Sequence, residues 1–138
     1  MKINGANQNE LRDIYCQQVR SILEYAAVVW HSGLTIENKA NIERVQKSAL
    51  AIILGKKYIN YENALSTLNI ERLCVRREKL CLKFAKKSLA SEKFSSWFVR
   101  DENVQNTRRL VKTVKPALAR TTRFGKSALP YLTTILNN

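Results

Sequence analysis

The chain has 138 residues, enough for about one domain with an ordinary hydrophobic core. A hydrophobic content of 45%, with four glycines and two prolines, excludes a low-complexity composition. The net charge of +13 is uneven: residues 1–70 carry eight basic and six acidic side chains (+2), and residues 71–138 carry sixteen and five (+11). This asymmetry favours a polyanionic partner; the alternative is a basic surface that serves only solubility.

Apolar residues recur with a period near 3.6 along the front half, which predicts α-helices rather than strands. One long helix is predicted near residues 10–31, ended by Gly33, and another near residues 36–54, with Thr35 as N-cap and Gly55 as stop signal. The second helix is predicted to bury Ile42, Val45, Ala49, Ile52 and Ile53. The first is predicted to leave part of its apolar face without an internal partner, namely Ile22, Ala26, Val29 and Trp30.

The next elements are a short helix over residues 61–68, capped by Asn60, and a third long helix over residues 70–90, capped by Asn69. The third long helix is dense in like charges, which destabilise an isolated helix. Its cations therefore favour an anionic partner, or else form a solvated face with extended lysines. Residues 93–99 are predicted to form a short helix whose three aromatic side chains are more typical of a core clamp than of a base-stacking platform.

The C-terminal segment is the most basic part of the chain. Residues 103–138 hold seven basic side chains and no acidic one. Residues 111–114 are predicted to be a short extended piece, residues 118–126 have no clear period, and a last apolar element begins at Leu129. The sequence thus predicts an all-α fold: a small helical bundle of three long helices plus short helices, with a basic, partly irregular C-terminal tail. The predicted divisions are a disordered or unmatched start (1–9), a helical domain (10–100) and the basic segment (101–138).

Few residues are suited to catalysis or metal binding. The three cysteines cannot all pair internally; Cys74 and Cys81, seven apart on one helix face, are interpreted as small buried side chains in a reducing compartment. His31 is interpreted as a surface residue at a helix end. Two-metal phosphoryl transfer needs clustered carboxylates, and Asp13 and Asp101 are the only aspartates. We therefore expect no catalytic residue, no metal site and no cofactor in this chain.

No apolar run in the sequence is long enough to cross a bilayer, and the first residues do not resemble a signal peptide. The sequence therefore predicts an intracellular protein, nuclear or cytoplasmic, without a membrane partner.

A set of short segments, in order along the chain, resembles one known family. The set covers nearly the whole chain after about residue 10 and consists of Arg20–His31, Ile42–Ala49, Ile52–Gly55, Tyr58, Tyr61, Ala64–Leu65, Leu68, Leu73, Arg76–Arg77, Leu80, Lys83–Ala85, Lys115–Pro116, Arg120–Arg123, Pro130–Leu132 and Leu136–Asn137. It is similar to the region that follows the polymerase core in reverse transcriptases of non-LTR retrotransposons of the jockey-like LINE type.

The resemblance implies a helical module on the thumb side of an RNA-directed DNA polymerase, which holds the template–primer duplex. The catalytic aspartates and the Mg²⁺ site of such a polymerase would lie upstream, in a palm that this sequence does not contain. A palm would then be a possible partner. Relatives often carry a small residue and proline where this chain has Ala27 and Val28, so the resemblance also implies a straighter first helix here.

Three functions are compatible with the sequence. The chain is a non-catalytic reverse-transcriptase fragment, a stand-alone small basic DNA- or RNA-binding protein, or a helical protein-interaction domain. In the first two, it would bind duplex or single-stranded nucleic acid with little sequence preference, since phosphate contacts carry no sequence information. The predicted contacts are Arg76, Arg77, Lys83, Arg108, Arg109, Arg120, Arg123 and Lys126, with the three helix residues facing outward together.

Overall fold

A computed structural model describes residues 5–99 and 114–138, and within these ranges it contains helices and no β-strand. The prediction of an all-α fold is confirmed. The α-helices are α1 (Gln8–Ile14), α2 (Arg20–Glu24), α3 (Ala27–Trp30), α4 (Ile36–Leu54), α5 (Tyr61–Leu68), α6 (Leu73–Ala90), α7 (Thr122–Gly125) and α8 (Ala128–Leu136).

The chain forms two compact units. The first is drawn from Met1–Tyr25 and Leu34–Arg76, and the second from Ala26–Gly33 and Arg77–Asn138. The domain boundary predicted from composition, after residue 100, falls outside the described residues and stays a prediction.

The first predicted long helix is interrupted twice. A π-helical turn, Tyr15–Val19, separates α1 from α2, and Ala26 adopts a left-handed conformation (φ 50°) between α2 and α3. The prediction of one straight helix is therefore wrong. Left-handed backbone is unfavourable for alanine, but the residues before Ala26 belong to the first unit, whereas Ala26–Gly33 belong to the second. Packing in two separate cores thus overrides local helical preference.

The prediction that part of the apolar face of residues 10–31 has no internal partner is largely confirmed. Ile22 is 75% exposed and Val29 71% exposed, and Ala26 is exposed as well. Trp30 differs, because it is only partly exposed and the guanidinium of Arg77 lies over its ring.

Helix α4 has the predicted bounds and caps. The side-chain oxygen of Thr35 accepts a hydrogen bond from the backbone N–H of Asn38 at 3.1 Å, and Gly55 ends the helix with a positive φ of 52°. The predicted buried side is only partly right: Ile53 is buried as predicted, and Ile42 and Ala49 are half-buried. Val45 and Ile52 are exposed, whereas Gln46 and Leu50 are fully buried.

Helix α5 also agrees with its prediction, including the cap formed by Asn60, whose side chain accepts from the N–H of Asn63 at 2.8 Å. Asn69 has a different role from the predicted one. It ends α5 in a left-handed conformation (φ 51°), which asparagine tolerates better than most residues, and the N–H of Ile70 donates back to the carbonyl of Leu65. Helix α6 consequently begins only at Leu73.

Each unit has its own apolar core. The core of the first unit is formed by residues of the π-helical turn, of α4, of α5 and of the segment just after α5. These residues are Tyr15, Leu50, Ile53, Leu54, Ala64, Leu65, Leu68 and Ile70. The core of the second unit consists of Cys81, Ala85, Phe98, Val114 and Leu132.

The predicted helix at residues 93–99 is a single 3₁₀ turn, Ser95–Trp97. Its aromatic side chains are not a joint clamp, since Phe98 is in the core, Phe94 is half-buried and Trp97 is 49% exposed. Of the predicted extended piece at residues 111–114, only Val114 lies within the described residues. It is buried, and its N–H and carbonyl both bond the side-chain amide of Asn137.

Candidate nucleic-acid interface

Three of the predicted contacts lie on the surface of one short segment of the second unit. Arg120, Arg123 and Lys126 are all exposed, and so is Lys115 just before them. Residues 114–138 contain these four cations and no acidic residue. No ion pair involves any of the four within the part of the chain that the structure describes. These four side chains are thus exposed and have no carboxylate partner among the described residues.

The backbone of this segment is fixed by local hydrogen bonds. The hydroxyl of Thr121 caps α7 by accepting from the N–H of Phe124 at 3.2 Å. On the far side, both the N–H and the hydroxyl of Ser127 donate to the carbonyl of Phe124, at 2.9 and 2.7 Å. These bonds close one helical turn, which holds Arg120 before it, Arg123 within it and Lys126 after it. The cations are thus presented by an ordered turn.

Of the three nucleic-acid contacts predicted on helix α6, one is clearly accessible. Lys83 is exposed, and Lys86 and Lys87 beside it are exposed too. The last two were not among the predicted contacts, although they belong to the same dense run of cations. Arg108 and Arg109 lie outside the described residues, so their predicted role stays a prediction.

Arg76 is held within the first unit. Its guanidinium donates to both carboxylate oxygens of Glu24, from Nε at 2.5 Å and from an Nη at 3.1 Å. A bidentate hydrogen-bonded pair of this kind is the strong form of an arginine–carboxylate interaction. The hydrogen bond from Arg76 to Glu24 is the main reason that the pKa of Arg76 is raised. This arginine has a structural role in the conformation described.

Arg77 does not face outward, so that expectation is wrong. Its side chain is 0% exposed, and its guanidinium lies 5.8 Å from the centre of the Trp30 ring. Among the residues that the structure describes, none of its three side-chain nitrogens has a hydrogen-bond partner. Consecutive helix residues are about 100° apart around the axis, so Arg76 and Arg77 cannot share one outward direction with Lys83. The spacing alone should have excluded that prediction.

Sequence reasoning also missed a polar network in the first unit. The Tyr15 hydroxyl donates to the side-chain oxygen of Gln46 at 2.7 Å, and the amide nitrogen of Gln46 donates to the Tyr61 hydroxyl and to the Glu71 carbonyl. The Tyr61 hydroxyl in turn donates to Glu43 at 2.6 Å. Burial raises the pKa of Tyr15 and Tyr61, and the bond to Glu43 raises that of Tyr61 further. Gln46 precedes Leu50 by four residues and Ile53 by seven, so it lies on the same face of α4 as these two buried residues. This spacing is the sequence signal for the burial of Gln46.

The second unit buries a histidine that was predicted to lie on the surface. His31 is almost inaccessible, and its ring meets that of Tyr131 edge-on, with centres 5.5 Å apart. Burial raises the pKa of the Tyr131 hydroxyl. The prediction failed because the helix break at Ala26 places His31 in the second unit. Of the two cysteines predicted to be buried, Cys81 is fully so and Cys74 is half-buried; neither forms a disulfide.

Over residues 5–99 and 114–138, no three His, Cys, Asp or Glu side chains lie close enough to hold a metal ion. None of the described helices is both long and apolar enough to cross a membrane. Comparison with protein-family models, with curated proteins and with solved structures gives no match for this chain.

Proposed function

We propose that this chain is a non-catalytic helical module that binds nucleic acid through its phosphates, with little sequence preference. The observation that carries the proposal is the set of exposed cations at Arg120, Arg123 and Lys126, in a segment, residues 114–138, without an acidic side chain. Lysine and arginine side chains that neutralise phosphates release condensed counterions, and this release supplies sequence-independent affinity.

The resemblance to non-LTR reverse transcriptases gives this proposal a biological setting. In that setting, the chain is the thumb-side part of an RNA-directed DNA polymerase and holds the template–primer duplex, whereas Mg²⁺-dependent chemistry belongs to an upstream palm. A basic, helical and phosphate-directed module suits such a role. A stand-alone DNA- or RNA-binding protein would use the same cations.

A pair of charge-matched variants tests the proposal. Replacing Arg120 and Arg123 with alanine removes two exposed cations from the tail. Replacing Lys56 and Lys57, which are exposed in the first unit, removes the same charge elsewhere. Charged hydrogen bonds contribute about 1.5 kcal/mol or more each, so the tail variant, which loses two of them, should bind a mixed-sequence duplex at least about a hundredfold more weakly. Fluorescence anisotropy should show a much smaller loss for the Lys56/Lys57 variant. Equal losses in both variants would mean that only net charge matters.

A second function, docking of another protein, is favoured by an exposed apolar row on the first unit. Val19, Ile22 and Tyr25 follow one another at intervals of three residues, and all are exposed, with Tyr25 80% accessible. Exposed rows of this kind promote association.

The apolar row has a direct test in solution. We expect the purified chain to self-associate in the micromolar range, and the Val19→Ser, Ile22→Ser variant to be monomeric by sedimentation velocity. Ile36→Ser changes a single exposed isoleucine at the start of α4 and should leave the association unchanged. A wild-type chain that sediments as a monomer at all concentrations would remove the support for a docking function.

A further inference from the structure

The second unit contains a cleft between the last turns of α6 and the segment that follows it. Its volume is about 200 Å³, and its lining consists of Phe84, Lys87, Ser88, Ser91 and Phe94. Sites that enclose a whole small molecule usually measure about 300–1,000 Å³. The cleft is therefore large enough for one planar ring and leaves any attached sugar and phosphate outside.

Its walls are fixed by the way the chain turns after α6. Phe84 and Ser88 are four residues apart, so they lie on one side of α6, and Ser91 directly follows Ala90, the last residue of the helix. The carbonyl of Ser91 then accepts bonds from the N–H groups of Phe94 and Ser95, at 3.2 and 2.8 Å, and these bonds fold Phe94 back across that side. Phe98, buried in the core, anchors the far end of the turn.

The lining contains two aromatic side chains and one cation, and further aromatic and cationic side chains lie beside it. The ring of Phe94 contacts that of Trp97, with centres 4.9 Å apart, and the ammonium of Lys93 lies 5.6 Å from the centre of the Phe94 ring. Lys87 is at the margin of the cleft, and Lys83 lies one helical turn earlier; both are exposed. Glu92 is the one acidic residue between positions 83 and 99 of the sequence. An apolar slot with positive charge at its margin suits an aromatic ring that carries a phosphate.

We propose that this cleft receives one unpaired base of a single-stranded nucleic acid, with Lys83 and Lys87 on the neighbouring phosphates. The inference rests on the proposed function and adds a preference for single strands to it. Proteins that bind single strands combine a basic surface with aromatic side chains on which bases stack, and this stacking tolerates any sequence. The bases of a duplex are stacked and paired, so they cannot enter without being extruded.

Filling the cleft provides the test. Ser91→Phe places a ring in the cleft and leaves the carbonyl of residue 91 available for its two bonds. Ser96→Phe makes the same change at an exposed position that does not line the cleft. We expect Ser91→Phe to bind a mixed-sequence 12-nucleotide single strand about tenfold more weakly than the wild type and to bind the corresponding duplex equally well. Ser96→Phe should match the wild type with both probes.

A second variant keeps the test independent of any folding defect in the first. Phe94→Leu preserves an apolar side chain and removes the stacking surface, so it should also weaken only the single-strand interaction. Unchanged single-strand affinity in both variants would overturn the cleft assignment while leaving the phosphate contacts intact. If Ser91→Phe excludes an apolar dye and still binds the single strand normally, the cleft takes another ligand and the assignment is again wrong. A wild-type chain that binds neither probe would refute the proposed function itself.

Discussion

Replacing Gln46 with leucine is expected to lower the free energy of unfolding by about 3 kcal/mol. The fully buried Gln46 amide satisfies the Tyr15 hydroxyl and the Glu71 carbonyl. Leucine removes both partners, and a buried polar group left without one costs about 1–3 kcal/mol. The Tyr61 hydroxyl keeps its bond to Glu43 and should contribute little to the loss.

Urea denaturation gives the measurement, with the midpoint expected to fall and the slope to stay constant. Gln18→Leu is the matched control, because Gln18 is exposed and surface substitutions of this kind stay within about 0.5 kcal/mol of the wild type. A Gln46→Leu variant as stable as that control would show that the network does not hold the first unit together.

The same network gives stability a dependence on alkaline pH. The pKa of Tyr15 and Tyr61 is raised in the folded chain, chiefly by burial, from the ordinary value of 10.0. The unfolded chain therefore loses these protons first, and the stabilisation is complete below pH 10.0 and declines above it.

Replacing Arg77 with methionine is expected to have the opposite effect and to raise the free energy of unfolding by about 1–3 kcal/mol. The guanidinium is fully buried, and its nitrogens find no acceptor in the part of the chain that is described. A buried charge without hydrogen bonds costs free energy, whereas methionine can fill a similar space and still pack on the Trp30 ring.

Arg76→Met is the matched control, since it changes the adjacent residue in the same way. It breaks the bidentate pair with Glu24 and should lower the free energy of unfolding by about 1 kcal/mol. The same substitution at two adjacent arginines should thus shift the midpoint of urea denaturation in opposite directions. A fall in both variants would mean that Arg77 has an anionic partner in solution.

The sequence was sufficient for elements whose signals are local. Helix α4 is bounded by the Thr35 cap and by Gly55, and α5 by the Asn60 cap, and all three signals depend on backbone bonds within a few residues. The exposed cations at Arg120 and Arg123 could also be predicted, because the segment around them is too polar to join a core.

Features that depend on distant packing could not be predicted in this way. The left-handed turn at Ala26 exists because the chain leaves one core for another, and no local preference of alanine indicates it. Gln46 is buried and Val45 is exposed because the side-chain amide of Gln46 has three polar partners, on residues that lie 15 to 31 positions away along the chain. The burial of Arg77 likewise depends on Trp30, 47 residues earlier in the sequence.

The salt dependence of duplex binding tests the central claim most directly. The exposed cations Lys83, Arg120, Arg123 and Lys126 would make four phosphate contacts, and each contact contributes about −0.9 to the slope of log affinity against log salt concentration. We expect a slope of about −3.5 for the wild-type chain and about −1.8 for the Arg120→Ala, Arg123→Ala variant. A slope near zero for the wild type, or the same slope for both proteins, would contradict phosphate binding by this tail.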